Sequence, residues 1–561
     1  VLLSLLEALT LAPMRCSRFL QVEHRGRLGR TMDRLFRRLS ALYLRTLGPA
    51  LRHRTWLLLG SLAFFLLSLV TVGFLRQEFI PSQDMSRFTI RFQTPVGTSL
   101  DATDRYFRQI ESFLMSRPEV TLFAGSVGGT DVNFGQAYVN MKAPRERPVD
   151  QKLGRRLTQL EFMDVVRRHA ATIPGGRIVL QDISQTGFSA SRGGGFPVEF
   201  NVRGRDWNVL ATSARRIAEE MRQSGLVTDV DTDYQVGMPE AQVVPDRDRA
   251  ADLGVSMASI GETVNAAIGG VRVAKFKDKG RRFDIRGRLL QSQRQRPEDI
   301  GRLLVRTTSG EVVRLGQLIR IAQEPTLQAI TRRDRERAIS IYANVTTGAS
   351  QAAAVERSLG IARSILPDGY RAVPAGSTKA FRESFDSLWF AFALGILIAY
   401  MVLASQFNSF WHPVIVLLAL PFSVSGALFA LWLGGQSLNV YSLLGLILLV
   451  GIAKKNSIML VDFTNQVRRR DVPCREALLE ACPIRLRPIL MTSIAMIVGA
   501  LPPALAIGAG AELQRPMALA LVGGMALSTL LTLYVVPAAY SAVNDALEWS
   551  RARLRARELR A

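Results

Sequence analysis

Residues 451–463 read GIAKKNSIMLVDF and sit inside an apolar run over 440–464. At about 1.5 Å per residue, a run of that length crosses the hydrocarbon core of a bilayer as a helix. Its centre nevertheless carries Lys454, Lys455 and Asn456. Each central lysine costs roughly 2.5–3.5 kcal/mol on insertion scales. The Leu, Ile, Val and Phe residues of the run return roughly 0.3–0.6 kcal/mol each, so the two contributions nearly cancel. Asn465 lies about 15 Å beyond Lys455 along the axis, too far for easy snorkelling. At least one ammonium group should therefore need an anionic partner inside the bundle. The chain offers no good candidate: Asp462 falls near one membrane surface and Asp386 at the other. Two roles stay open for the lysines, a proton relay and a static ion pair.

Five further apolar segments surround this one, at 55–75, 388–404, 412–434, 486–507 and 517–541. In lipid every backbone polar group must be satisfied internally, so each reads as a helix. The charges then set the sidedness. Eleven arginines lie between Arg15 and Arg54, against Glu23 and Asp33 alone. Further arginines crowd 465–487 and the tail after Arg551. With six crossings these three basic segments share one side, which the positive-inside rule makes cytoplasmic. Much of the net charge of +24 is explained in this way, without nucleic acid. Residues 28–47 place Leu28, Met32, Leu35, Leu39, Leu42 and Leu47 at helical spacing among arginines. That pattern fits an amphipathic helix on the inner leaflet, or one packed on a soluble partner. Residues 1–14 are apolar but too short to span, and read as the tail of a helix whose beginning is missing.

Residues 76–387 form one large polar block outside the membrane. Hydrophobic period switches between strand and helix: 87–94, 100–117, 120–125; then 137–142, 153–173, 177–183; then 196–203, 206–224, 227–234. Repeated β-α-β order predicts split βαβ sandwiches, and Gly193–Gly195 a linker between two of them. Residues 271–290 read as a hairpin turning near Asp278–Gly280. The resulting divisions are 1–20, 21–54, 55–75, 76–195, 196–387, 388–541 and a basic tail at 542–561.

The segment RLRPILMTS (485–493) puts Arg485 and Thr492 two turns apart on one helix face. Thr492 is placed to bond a moving ammonium group, or to bond its own i−4 carbonyl. Together with GIAKKNSIMLVDF, it resembles the C-terminal half of a resistance–nodulation–division (RND) efflux transporter. GAGAELQRPMALALVGG (508–524), DRDRAADLGVS (246–256), QFNSFWHP (406–413) and the order of spans carry the same resemblance. The Lys-Asn pair resembles the hydrophobe/amphiphile (multidrug) branch. The resemblance implies a polytopic α-helical membrane protein with a large α+β periplasmic insert, built of split βαβ porter subdomains and a docking hairpin. It implies a bacterial inner-membrane pump driven by the proton gradient, without a cofactor.

The resemblance also assigns roles. Lys455 matches the relay lysine, with Lys454 and Asn456 beside it, Thr492 the relay threonine and Arg485 the basic residue at the inner mouth. Two aspartates of an N-terminal half would take up the proton. A homo- or hetero-trimer, a periplasmic adaptor protein and an outer-membrane channel are the implied partners. Family members that pump drugs carry a Phe-rich loop where this chain has SVGGTDVNFGQAY (126–138). Phe123, Phe134 and Tyr138 remain as pocket-lining candidates, or as ordinary strand core.

Other classes have less support. No nucleophile–base pair or metal-ligand spacing joins His24, His53, His169 and His412. No Walker sequence is present, so an ATP engine is not visible. A receptor with periplasmic ligand-binding units would lack an effector domain. A heavy-metal exporter of the same superfamily would have to use methionines scattered over the outer block, from Met85 to Met257.

Overall fold

The computed structural model describes residues 2–19, 27–129, 131–151, 153–184, 195–234, 236–327, 330–506 and 510–558. Six helices in it are long and apolar enough to cross a membrane: Arg54–Phe74, Gly376–Phe407, Trp411–Leu433, Val440–Arg468, Cys474–Ala504 and Ala511–Trp549. Several outrun the apolar segments that announce them. The basic stretch 465–487, which lies between two apolar segments, is mostly helical, because Val440–Arg468 and Cys474–Ala504 leave only residues 469–473 between them. Hydropathy marks where a helix meets lipid and not where its backbone pattern stops, so polar turns at the ends escaped it.

Glycines allow these helices to approach closely. A Cβ on Gly523 would sit 2.2 Å from Ala430 Cβ and 2.5 Å from the Gly426 carbonyl oxygen. Gly524 lies under Leu449 of the lysine-bearing helix, where a Cβ would meet Leu449 Cδ1 at 2.4 Å. Small residues at helix crossings supply van der Waals contact in lipid, where the hydrophobic effect does not drive association. The helix Arg27–Arg52 packs Tyr43, Leu47 and Leu51 against Leu478, Leu486 and Val536. Met32, Leu35, Leu39 and Leu42 stay exposed on it.

The outer block is not three strand–helix–strand repeats. Its first two join into a single four-stranded sheet in the order Val120–Val127, Phe134–Met141, Arg87–Gln93, Arg177–Asp182, all neighbours antiparallel. Helices Leu100–Met115 and Gln159–Ala170 cover one face. The second helix starts at Gln159 and not at 153, because Thr158 and Glu161 form a reciprocal capping box. Phe88, Ile90 and Phe92 fill the core, with Phe92 stacked on Phe107 at 4.5 Å between ring centroids.

The second unit repeats this order with Val227–Thr232, Glu336–Val345, Val198–Gly204 and Arg371–Pro374, and adds a short fifth strand, Arg332–Arg333, paired to Glu336–Val345. Its helices are Trp207–Gln223 and Gln351–Ile365. Between its second and third long strands the chain makes an excursion that the period did not reveal. A ribbon of Val236–Pro245 with Ile319–Leu327 leads out to a separate small core of Ala250, Val255, Ile260, Val305, Leu315 and Leu318. From it projects a fully exposed hairpin, Val271–Asp278 with Arg281–Gly287, turning through Lys279 and Gly280 at positive φ. Gly193 and Gly194, the expected linker, lie outside the described residues.

A Gly523→Val variant should force the helices of Gly426 and Gly523 apart. Overpacking of this kind costs about 1–3 kcal/mol. The expected outcome is a lower melting temperature of the purified protein in detergent, read by fluorescence-detected gel filtration.

Candidate functional site

The helix Val440–Arg468 presents two faces. One carries Leu446, Leu449, Ala453, Asn456, Leu460 and Thr464, all buried against neighbouring helices. The other carries Leu444, Leu448, Gly451, Lys455 and Asp462, all exposed. Lys455 and Asn456 are adjacent in sequence, so about 100° of helix rotation separates them. That single step turns one into the bundle and the other outward.

Asn456 is held by hydroxyls from two further helices. Its amide Nδ2 donates to Ser493 Oγ at 3.0 Å and to Thr529 Oγ1 at 3.3 Å. Thr529 Oγ1 donates in turn to Ser493 Oγ at 2.9 Å. All three residues are buried. A primary amide in hydrocarbon is costly unless it is paired, and here the pairing ties three spans at one depth.

The remaining sequence candidates are not drawn into this cluster. Lys454 is half-buried and Lys455 exposed, and no hydrogen bond or ion pair reaches either ammonium among the described residues. Thr492 Oγ1 donates to the Ile489 carbonyl at 3.2 Å, the local backbone bond that was its alternative reading, with an i−3 partner in place of i−4. Arg485 lies over the Phe463 ring with its guanidinium carbon 4.3 Å from the centroid. Ser493 and Thr529 escaped the sequence reading. The sequence signal was a hydroxyl inside an apolar span, present at Ser493 in RLRPILMTS and at Thr529 in the last helix.

The three aromatic candidates do not share a face. Phe123 pairs in register with Val139 and packs on the helix-covered core. Tyr138 pairs with Ala124 and Thr89, faces the opposite side and is exposed. Side chains alternate along a strand, so Phe134, four residues before Tyr138, shares its side. A lining of all three is excluded by this register. Phe134 and Tyr138 remain together.

A polar cleft of about 280 Å³ separates the two outer units, with Glu78, Asp164, Arg167, Asp182, Asn344 and Gln351 among its lining. Burial pushes the Glu78 carboxyl up, and the Ser437 hydroxyl and Arg76 only partly oppose this. Burial likewise pushes Asp182 up against bonds from Ser184 and Gln159. Arg167 bridges the units: its Nη2 meets Asp229 at 2.7 Å, and Asp164 is its second partner. Below the cleft, buried Arg147 clamps Asp84 with two charge-assisted bonds of 2.6 and 2.5 Å. Asp84 N–H donates to Glu512 at 2.9 Å, fastening the first unit to the last membrane helix.

With this geometry set out, comparison gives the class. Two solved structures, both described as the X-ray crystal structure of a heavy metal efflux pump, superpose with TM-scores of 0.81 (crystal form II) and 0.79 (crystal form I). Their identities are 23% and 24%, which establishes the fold: helical spans under a β-rich region, in a multi-pass membrane protein. Each match covers 90% of this chain and 52% of the pump chain, so the chain spans about half the length of those pumps. The chain belongs to the AcrB/AcrD/AcrF family of RND transporters, whose model matches residues 1–544.

Two outcomes follow from the geometry. Asn456→Leu should lower stability by about 1 kcal/mol, the scale of polar contacts within bilayers, whereas Thr492→Ala should change it little. Thermal melting of the two variants side by side checks this. For Asp182, a raised pKa means the folded state disfavours the charged carboxylate. Asp182→Asn should therefore be neutral or stabilising at neutral pH relative to the native chain. As pH falls through the raised value the native chain takes up its proton and closes the gap, down to the ordinary carboxylate range. Melting temperatures across that pH range give the readout.

Proposed function

We propose that this chain works as the C-terminal half of a proton-driven exporter of amphipathic and hydrophobic compounds in the bacterial inner membrane. The observation that carries this reading is the position of Lys455. Its ammonium is exposed in mid-span, with no partner among the described residues, while its neighbour Asn456 is fixed. An ammonium left facing acyl chains is costly, so the face around Lys455 calls for an anionic partner. Two aspartates from the other half of a full-length pump would supply it. Proton uptake by a carboxylate then releases the lysine, and the change in pairing shifts the helix. Thr492 and Arg485 would stand on the route between that site and the inner surface, with Lys454 beside Lys455 as a second ammonium of the relay.

In this reading the two outer units are split βαβ porter subdomains facing the periplasm, and the cleft between them admits substrate. Phe134 and Tyr138 offer an aromatic surface for amphipathic cargo. The exposed hairpin Val271–Gly287 would dock into a neighbouring protomer of a trimer. A periplasmic adaptor and an outer-membrane channel would complete a tripartite path. The proton gradient supplies the energy, and no enzymatic step is required.

A second reading is export of heavy metals, which both solved structures name in their descriptions. The methionines weigh against it. Met141 and Met221 are each buried in the core of a different unit, while Met85, Met115 and Met257 are exposed. Soft-metal transport needs such ligands to converge.

The test is Lys455→Ala in the full-length transporter, expressed at native abundance in a strain lacking its own pumps. Efflux of a lipophilic dye should fall to background. Retained efflux at normal abundance rejects the relay role. Growth on copper, zinc and silver salts separates the two substrate classes: the amphiphile reading expects tolerance unchanged by deletion of the gene.

A further inference from the structure

The chain leaves its first span at Phe74 and crosses to the outer units through the extended residues 75–80. This short stretch bonds on both sides. On its membrane side it pairs with the turn that starts the lysine-bearing helix. Leu438 N–H donates to the Arg76 carbonyl at 2.8 Å, Glu78 N–H to the Leu438 carbonyl at 3.1 Å, and Val440 N–H to the Phe79 carbonyl at 3.3 Å. The Ser437 hydroxyl donates to the Glu78 carboxyl. Asn439 caps the helix here. Its Oδ1 accepts from Ser442 N–H at 3.0 Å, and its Nδ2 donates to Ser437 Oγ at 2.9 Å.

On its outer side the same stretch holds the second unit. Phe79 N–H donates to Gln351 Oε1 at 2.7 Å, and Gln351 Nε2 donates to the Pro197 carbonyl at 2.8 Å. Ala352 N–H and the Ser350 hydroxyl both donate to the Gln77 carbonyl at 3.2 Å. These bonds seize the start of helix Gln351–Ile365 and the approach to strand Val198–Gly204. Apolar packing closes both ends. Leu75 and Leu438 are buried with Leu443 and Leu446, and Phe79 packs edge-on against Phe381.

A stretch paired along both edges cannot slide against either neighbour without breaking several bonds at once. Asn439 and Lys455 lie on one unbroken helix, about 24 Å apart along its axis. We propose that residues 76–79 form a coupling strap, which carries displacement of the lysine-bearing helix into the second outer unit, with Asn439 and Gln351 as positioning residues at its two ends. This deepens the exporter reading and rests on it. Without the strap the helix would move at its inner end while its outer end slipped past the unit above.

The experiment uses the full-length transporter and measures dye efflux kinetics in cells. Gln351→Leu removes the side-chain bonds to Phe79 N–H and the Pro197 carbonyl, and Ser437→Ala removes the hydroxyl bonds to Glu78 and Asn439. Each should lower the maximal efflux rate roughly 3- to 30-fold at unchanged membrane abundance, and Ser437→Ala, which lies outside the cleft, should also leave the half-saturating concentration unchanged. Ser437→Thr, which keeps the hydroxyl, should restore the rate. Unchanged rates in both cutting variants overturn the strap. Where either variant loses abundance, a Gln77→Cys, Ser350→Cys pair gives an independent arm. Cross-linking it should leave transport intact, since the strap and the helix start move together. A block that reductant reverses shows that they must separate, and overturns the proposal. Lys455→Ala in parallel distinguishes the two ideas: transport that survives this change sinks the relay, while the strap is judged by the rates and the cross-link.

Discussion

Polar groups inside hydrocarbon must be paired, and this constraint governs the membrane region. Asn456 meets it internally, through Ser493 and Thr529 on two other helices. Lys455 does not meet it within the described residues. The helix that bears both is therefore anchored along one side and open along the other. Everything that fixes the anchored side contributes: Gly524 beneath Leu449, Gly445 against the backbone of Met517, and the hydroxyl–amide cluster at mid-depth. The open side is defined by its exposed stripe and by the one charge at its centre.

The outer region solves a different problem. Each unit is a small sheet, of four strands in the first and five in the second, that covers only one face with helices, and each would be modest alone. Their union is electrostatic as much as apolar. Arg167 reaches from one helix to Asp229 of the other unit, and Asn344 Nδ2 donates to the Leu180 carbonyl across the same seam. Carboxyls held in such a seam are partly desolvated, which is why Glu78 and Asp182 are pushed up.

How far this was legible in the sequence differs by element. The six spans were, because apolar length is a direct signal of the bilayer. The turn at Lys279–Gly280 was also legible from its residue types. The joining of two β-α-β segments into one sheet was not, since period reports the element and not its partner. The small core around Ile260 and Leu315 was hidden for a similar reason: its strands are only three residues long, as in Leu304–Arg306. In the candidate site, Asn456 was singled out beside lysines that are costly in lipid, and through the family resemblance. Ser493 and Thr529 were missed because a hydroxyl in an apolar helix has a cheap local partner, and Thr492 in fact uses one. Phe123 and Tyr138 looked alike until the register placed them on opposite sides of the sheet.

In the proposed exporter, the adjacency of Lys455 and Asn456 would have a mechanical meaning. A relay that only exchanged charge would need a lysine and a carboxylate, and nothing to hold the helix between them. A relay that performs work must convert a change in pairing into displacement of something stiff. Asn456 links that depth of the helix to two neighbours by bonds of neutral groups, each of modest strength. In the proposed relay, bonds of this strength would be the ones to yield when the pairing of the adjacent ammonium changed. At the outer end the contacts are of another kind, with backbone pairing to residues 76–79 and a capped first turn at Asn439. In the proposed exporter, a helix held this firmly at its outer end would pass displacement on and not absorb it.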